Sequence, residues 1–349
     1  MSERLSSPPL VSPQPWPAAN RDGLAELRRL LDEHDEVYIF GHKDADGDTL
    51  GCSLAFAEAL RRQAKRAHVV IPPPHPDLYE WLPGFSEMRA EAPPDADIGL
   101  CIFFDAGNME RSGKTTARIT ERTVIVNIDH HASNSRFGTL NLVDPDASAV
   151  GQMCLQLLHE LGWEITPTMA TCLYAAILTD TGGFRHENTS VQTLADGARL
   201  AALGADPSDI AGRIYKSRPA TTVRLNALSL SSMQIEMEGQ LAWARVTRRM
   251  LHQTGAVMAE AEGIIDSLNS IGGLQAAIIF KEVGARLTKI SVRTRNGVDA
   301  AALCARFGGG GHTRAAGAEL LVPMRDAVQA VLQAAHEVID GAGRRSQYR

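Results

Sequence analysis

The sequence predicts an α/β protein of two domains, a Rossmann-like N-terminal domain on a parallel sheet and a smaller α/β C-terminal domain, joined by a helical connector. Three observations predict it. At 349 residues the chain is too long for one ordinary core. Its first half alternates short, continuous apolar runs with helical stretches, the pattern of a parallel sheet covered on both faces. The stretch from Asp206 to Met233 has no β pattern and separates that half from a second α/β alternation.

Taken in order, residues 21–35 have helical periodicity, with Leu24, Leu27, Leu30 and Leu31 on one face. Strands are expected at 36–41, 67–71, 98–105 and 123–129, and a helix at 49–65. Further helices are expected at 150–161, 168–178 and 191–203. In the second half, strands are expected at 241–247, 276–281 and 287–293, and helices at 258–270, 299–307 and 324–339. Residues 319–322 also read as strand, and residues 341–349 as a frayed end. The expected division is a tail over 1–20, a first domain over 21–205, a connector over 206–235 and a second domain over 236–341.

Composition narrows the function. Apolar residues make up 44% and charged residues 22%, the balance of a soluble globular protein. Runs such as Val37–Phe40 and Ile98–Phe104 are far too short to span a bilayer, so no membrane role is expected. Residues 1–20 are rich in Pro and Ser and lack an apolar h-region, so they read as a disordered tail and not a signal peptide. The five cysteines are scattered with no CxxC pair; buried free thiols and a cytoplasmic location are expected. A net charge of −6 argues against coating long duplex nucleic acid. It leaves room for a small site that attracts phosphate with metal ions and a few arginines.

Four polar clusters each follow an apolar run. They are Gly41-His42-Lys43-Asp44-Ala45-Asp46-Gly47-Asp48, then Asp105, then Asp129-His130-His131, and finally Asp180. In an open parallel sheet the carboxyl ends of the strands face one crevice, so three of these clusters are expected to converge. Asp180 joins them if its helix runs towards that edge. Carboxylates gathered in one cleft repel and require cations. Oxygen and imidazole ligands without thiolate suit manganese or magnesium better than a closed zinc site. One Asp at a strand end is often only a helix cap, as Asp48 is placed to be; four clusters at one edge are not explained that way.

These residues resemble the DHH phosphoesterase superfamily. Asp129-His130-His131 resembles the triplet that names it, His42-x-x-x-Asp46-x-Asp48 its first motif, and Asp105 and Asp180 its second and fourth. Asn134, Phe137-Gly138, Val143-Asp144-Pro145 and Asp180-Thr181-Gly182 match the flanking text. Ala45 stands where the family commonly has Pro and Cys52 where it frequently has Ser; neither change removes a ligand. The resemblance implies two divalent ions, manganese with magnesium or cobalt as substitutes. His42 and Asp46 are then expected to hold one ion, and Asp48, His130 and Asp180 the other, with Asp105 bridging. Asp129 is expected to orient the site and His131 to contact the scissile phosphate or leaving oxygen. Such ion pairs lower the pKa of water and hold phosphate oxygens for in-line attack.

In the second half, Gly308 to Gly311 run into His312-Thr313-Arg314-Ala315-Ala316-Gly317. Successive glycines let backbone approach a ligand, and their N–H groups are expected to form an anion nest. A bare glycine run would favour a linker, but a strand-like segment follows it here. The run resembles the GGGH-x-x-AAG motif of the DHH-associated C-terminal domain, and Ser291-Val292-Arg293 its companion strand. That resemblance implies substrate contacts from Arg293, Gly310, Gly311, His312 and Arg314. Arg111 and Arg185, close to proposed ligands, are further phosphate-binding candidates.

The two resemblances cover roughly residues 22–340. None of the extra domains of exonucleases and membrane phosphodiesterases of the superfamily is expected in this sequence, which resembles the compact nanoRNase type. Expected substrates are short oligoribonucleotides, cut to mononucleotides, and 3′-phosphoadenosine 5′-phosphate (pAp), cut to AMP. A cleft between the domains would limit substrate length, with hinge motion through the connector. Hydrolysis of linear or cyclic dinucleotides is the alternative enzyme reading. A non-catalytic nucleotide sensor would have lost metal ligands, and none is lost. The resemblance also allows a homodimer.

Overall fold

The computed structural model describes residues 20–295 and 297–346. Residues 1–19 of the tail expected over 1–20 and the last three residues lie outside them; Asn20 is described and buried. The chain divides into two compact units after Ser217.

The first unit contains α1 (Arg21–Glu33), β1 (Glu36–Phe40), α2 (Gly47–Arg62), β2 (Arg66–Val70), β3 (Leu100–Phe104), β4 (Val124–Asp129) and β5 (Leu140–Val143). Then follow α3 (Val150–Leu161), α4 (Pro167–Asp180), α5 (Val191–Ala202) and α6 (Pro207–Tyr215). Its sheet has five strands in the order β2-β1-β3-β4-β5, and every pair is parallel. β3 is buried along its whole length, as strands covered on both faces are, and its sequence Leu-Cys-Ile-Phe-Phe is accordingly apolar throughout. α2 is also buried on nearly every side, because it lies between the sheet and α4. β5 was not expected; its four residues are too few to show a period.

The second unit contains α7 (Ala220–Ser231), β6 (Gln234–Glu236), β7 (Leu241–Val246), α8 (Arg248–Thr254), α9 (Ile264–Asn269), β8 (Ala276–Gly284) and β9 (Leu287–Thr294). α10 (Ala300–Ala305), β10 (Gly310–Gly311), β11 (Ala315–Leu320) and α11 (Met324–Ser346) complete it. Its six strands lie in the order β10-β11-β9-β8-β7-β6; β7 and β8 are parallel and the other pairs antiparallel. Ile278 and Phe280 of β8 pack with α11, while Ala277 and Ile279 pack with α9 on the opposite face.

Several expectations are corrected. The single helix expected over 258–270 is broken at Gly263, whose φ of +80° no α-helix contains; a 3₁₀ turn precedes the break and α9 follows it. The strand expected at 319–322 begins instead at Ala315 and ends at Leu320. α11 continues past 339 to Ser346, so fraying does not begin at 341. The stretch expected as a connector is shared: α6 packs on α4 in the first unit, and α7 on β7 and α8 in the second.

Candidate active site

β1, β3 and β4 are neighbours in the first sheet, and all three run the same way. The loops carrying His42, Asp105 and His130 therefore leave one edge side by side. Asp180, the last residue of α4, is delivered to the same place. Ligand atoms of His42, Asp46 and Asp105 lie within 4.8 Å of one another, as do those of Asp48, His130 and Asp180, and those of Asp105, His130 and His131.

Asp105 is the hub. Its Oδ2 lies 3.3 Å from His42 Nε2 and its Oδ1 3.9 Å from His130 Nε2. One carboxylate thus presents a different oxygen to each histidine. Thr49 Oγ1 donates to Oδ2 at 2.6 Å. Asp105 has φ +58°, a left-handed conformation costing a non-glycine residue on the order of 1 kcal/mol, and it turns the chain sharply off β3. On the far side, His130 Nε2 is 3.6 Å from Asp180 Oδ2.

The histidines are aimed by backbone carbonyls. His42 Nδ1 is 2.6 Å from Lys43 O, and His130 Nδ1 is 3.0 Å from Ala147 O. A ring nitrogen facing a carbonyl carries the proton, which leaves the Nε2 lone pair facing the carboxylates, the arrangement metal-ligating histidines use. Asp46 N-caps α2, accepting from Asp48 N and Thr49 N through Oδ1. Asp48 does not cap its own helix. It accepts from Val150 N and Gly151 N, both at 2.7 Å, and so caps α3 from about a hundred residues away in sequence. α3 needs this, because its own cap residue Ala149 has no side-chain acceptor. Cys52 Sγ donates to Asp48 Oδ1 at 3.4 Å.

Asp129 is fully buried and outside the three groups. Its Oδ1 accepts from His130 N at 2.9 Å and His131 Nδ1 at 2.7 Å; its Oδ2 accepts from Asn134 Nδ2 at 2.5 Å. It therefore fixes the orientation of His131.

Electrostatics show what the cluster lacks. Burial, with Asp105 and Asp180 nearby, raises the Asp48 pKa well above the carboxylate range. Burial raises Asp180 to about 7. For Asp105, burial pushes upward, but the hydrogen bond to His42 and the three histidine charges outweigh it and hold the carboxyl well below its ordinary value. His130 is raised to about 9: burial opposes its charge, and Asp180, Asp105 and Asp48 together overcome that. The pocket thus collects excess negative charge and takes up protons. This donor set of oxygens and imidazoles fits hard divalent cations, which would meet the same demand.

Sequence reasoning noted Asn134 only as flanking text and missed the other supports: Thr49, the carbonyls of Lys43 and Ala147, and the amides of Val150 and Gly151. Only the uncapped start of α3 was a legible signal. Arg111 is half-buried close enough to His42 for its charge to oppose protonation of that ring. Arg185 is turned to its own loop, with Nε donating to Gly182 O at 2.6 Å and the guanidinium 5.8 Å over Tyr215.

In the second unit, Arg293 on β9 pairs with Ala315, next to the β10–β11 hairpin, and His312 to Arg314 form the turn. The sheet brings Arg293, Gly310, Gly311, His312 and Arg314 to one corner. The expected anion nest is corrected. His312 N donates to Ala315 O at 2.7 Å and Gly309 N to Cys304 O at 3.0 Å, so these amides serve the fold. A Cβ at Gly309 would lie 2.2 Å from Gly317 O, and one at Gly311 2.5 Å from Ala315 O. Gly310, like Gly308, faces open space, with nothing within 4 Å of such a Cβ. All five cysteines are buried and free.

Two contiguous α/β units, one with carboxylates and histidines at the ends of its parallel strands, define the class. The chain belongs to the DHH family: the DHH family N-terminal domain matches residues 36–177 and the DHHA1 domain residues 239–341. It is 33% identical over 313 residues to the bifunctional oligoribonuclease and PAP phosphatase NrnA of Thermus thermophilus, covering 88% of this chain and 91% of that one. The NrnA of Bacillus subtilis is 28% identical over 300 residues, covering 84% and 92%. An exopolyphosphatase-related protein from Bacteroides fragilis shares the fold, with a TM-score of 0.87 at 23% identity over 92% of this chain and 98% of that one.

Proposed function

We propose that this protein is a metal-dependent phosphoesterase that hydrolyses short oligoribonucleotides to mononucleotides and pAp to AMP. The observation that carries the reading is the meeting of His42, Asp46, Asp48, Asp105, His130 and Asp180 in overlapping ligand groups within 4.8 Å. Likeness to NrnA along nearly the whole of both chains supports the substrate class.

His42, Asp46 and Asp105 would hold one divalent ion and Asp48, His130 and Asp180 a second, with Asp105 Oδ1 3.9 Å from His130 Nε2 of the second group. Bound ions supply Lewis acidity and fixed positive charge for phosphoryl transfer, manganese being the proposed metal. The residues do the rest. The Lys43 and Ala147 carbonyls keep both Nε2 lone pairs pointed inward. The α3 amides favour the ionised form of Asp48 against the burial that raises its pKa, because an anion at a helix N-terminus is stabilised. Asp129 holds His131 Nδ1–H and balances the charge of the imidazolium, so that His131 can give its Nε2 proton to the leaving oxygen and be left as the neutral ring. Arg293, His312 and Arg314, at the corner where Gly310 leaves open space, would take a substrate phosphate. The site is proposed to act in the cytoplasm, on small substrates and not on long duplexes.

The test is a turnover panel with added manganese: pAp, a 5′-phosphorylated dinucleotide, a cyclic dinucleotide, a five-residue RNA and a duplex. Fast release from pAp and the short RNAs, with slow cyclic dinucleotide and duplex, is expected. Preference for the cyclic dinucleotide would replace this reading with a signalling one.

A further inference from the structure

The two units differ in charge. Residues 218–349 carry 16 Lys and Arg against 11 Asp and Glu, whereas residues 1–217 carry 19 against 30. Part of the positive excess gathers at one end of the second sheet. There a cavity of about 260 Å³ is lined by Arg245, Thr247, Glu282, Met324, Arg325 and Val328. It sits at the carboxyl ends of β7 and β8, the parallel pair of this sheet, the kind of edge where ligands bind in α/β proteins. The glycine hairpin is at the other end: Arg293 pairs with Ala277, and Glu282 stands five positions further along β8, roughly 16 Å of strand.

Arg245 and Arg325 are exposed, and neither has an ion-pair partner among the described residues. Arg245 is held with its guanidinium 5.7 Å over the Trp243 ring, which restricts a side chain that would otherwise be free. Glu282, the one carboxylate in the lining, is already engaged: its Oε2 accepts from Arg248 N at 2.9 Å. Met324 and Val328 give the cavity an apolar floor. Two uncommitted guanidinium forks at the rim of an apolar floor match a phosphate monoester attached to a flat, weakly polar body.

We propose that this cavity is a second phosphate-binding site, taking the terminal phosphate of a nucleotide, at the other end of the second sheet from the glycine hairpin. Only the choice of a nucleotide as ligand rests on the phosphoesterase reading.

Calorimetry on the full chain in EDTA, where no hydrolysis occurs, tests it apart from activity. The Arg293→Ala background silences the hairpin. Inorganic phosphate, AMP, adenosine and a 5′-phosphorylated trinucleotide are titrated in turn. Phosphate and AMP are expected to bind, and Arg245→Ala with Arg325→Ala to weaken both about tenfold or more, the scale of a lost charged bidentate contact. Glu282→Gln keeps an acceptor for Arg248 N and removes a negative charge, so it is expected to tighten AMP a few-fold, which a purely structural role would not do. AMP or the trinucleotide binding tighter than phosphate identifies a nucleotide ligand; equal affinity identifies free phosphate. Adenosine binding as well as AMP, or isotherms unchanged by the double substitution, would overturn the proposal. With the hairpin intact, the double variant is expected to keep kcat/KM for pAp within about twofold, because neither arginine belongs to the ligand groups of the first unit or to the hairpin.

Discussion

Asp105 leaves β3 with φ +58°, accepts from Thr49 and faces two histidines with its two oxygens. Asp105 belongs to the group with His42 and Asp46 and also faces His130 of the second ion group proposed. Asp105→Ala is therefore expected to lower kcat/KM by roughly 10³-fold or more under saturating manganese, as loss of a group acting on developing charge does. Near-normal turnover would remove the assignment. Asn134→Ala acts one step away, by freeing Asp129, and is expected to cost about 10–100-fold. The glycines of the hairpin separate in the same manner. Gly309→Ala collides with backbone and is expected to lower Tm by several degrees, whereas Gly310→Ala meets nothing and is expected to leave Tm unchanged while raising KM. A Gly310→Ala enzyme with normal KM would show that no substrate comes near that backbone.

At the scale of elements, α2 and α4 approach closely because Gly51 has no side chain. A Cβ there would lie 2.3 Å from the Cys172 carbonyl oxygen. Backbone cannot give way as a flexible side chain can, so Gly51→Ala is expected to destabilise by about 1–3 kcal/mol in urea unfolding. Because α2 carries Asp46 and Asp48 at its start and α4 carries Asp180 at its end, the same substitution is expected to weaken metal affinity. An unchanged unfolding midpoint would mean that the helices separate without cost.

The whole molecule couples stability to pH through the metal centre. Without metal, His130 and Asp180 have folded-state pKa values of about 9 and about 7, above their ordinary 6.5 and 3.8. Each favours the folded state fully while protonated in both states, and that contribution is lost as pH rises through the folded value. Asp48 acts in the same direction. Asp105 acts oppositely, its contribution being lost only as pH falls below the carboxylate range. Metal-free protein is therefore expected to lose Tm from pH 6 to 9. Manganese, which replaces the protons, is expected to add a Tm increment that grows over the same interval. Thermal scans in EDTA and in manganese check this; an increment that shrinks with pH would contradict it. The second unit has apolar cores of its own on both faces of its sheet, so residues 218–349 alone are expected to give a cooperative unfolding transition.

What the chain could disclose by itself were the parts governed by local pattern. Apolar runs marked β1 to β4, and the polar clusters ending them marked the ligand-bearing loops, because in a parallel sheet consecutive strand ends must face one edge. The DHH triplet and the GGGH run added the family. The tertiary structure alone decided which groups support the ligands. Asp48 meets the α3 amides, Thr49 meets Asp105, and Asn134 meets Asp129 through contacts that no sequence period encodes. It also reassigned the glycines: Gly309 and Gly311 are small because β11 lies against them, a fact of packing between strands. Local pattern fixes where a side chain leaves the backbone; only the folded neighbourhood fixes what it meets.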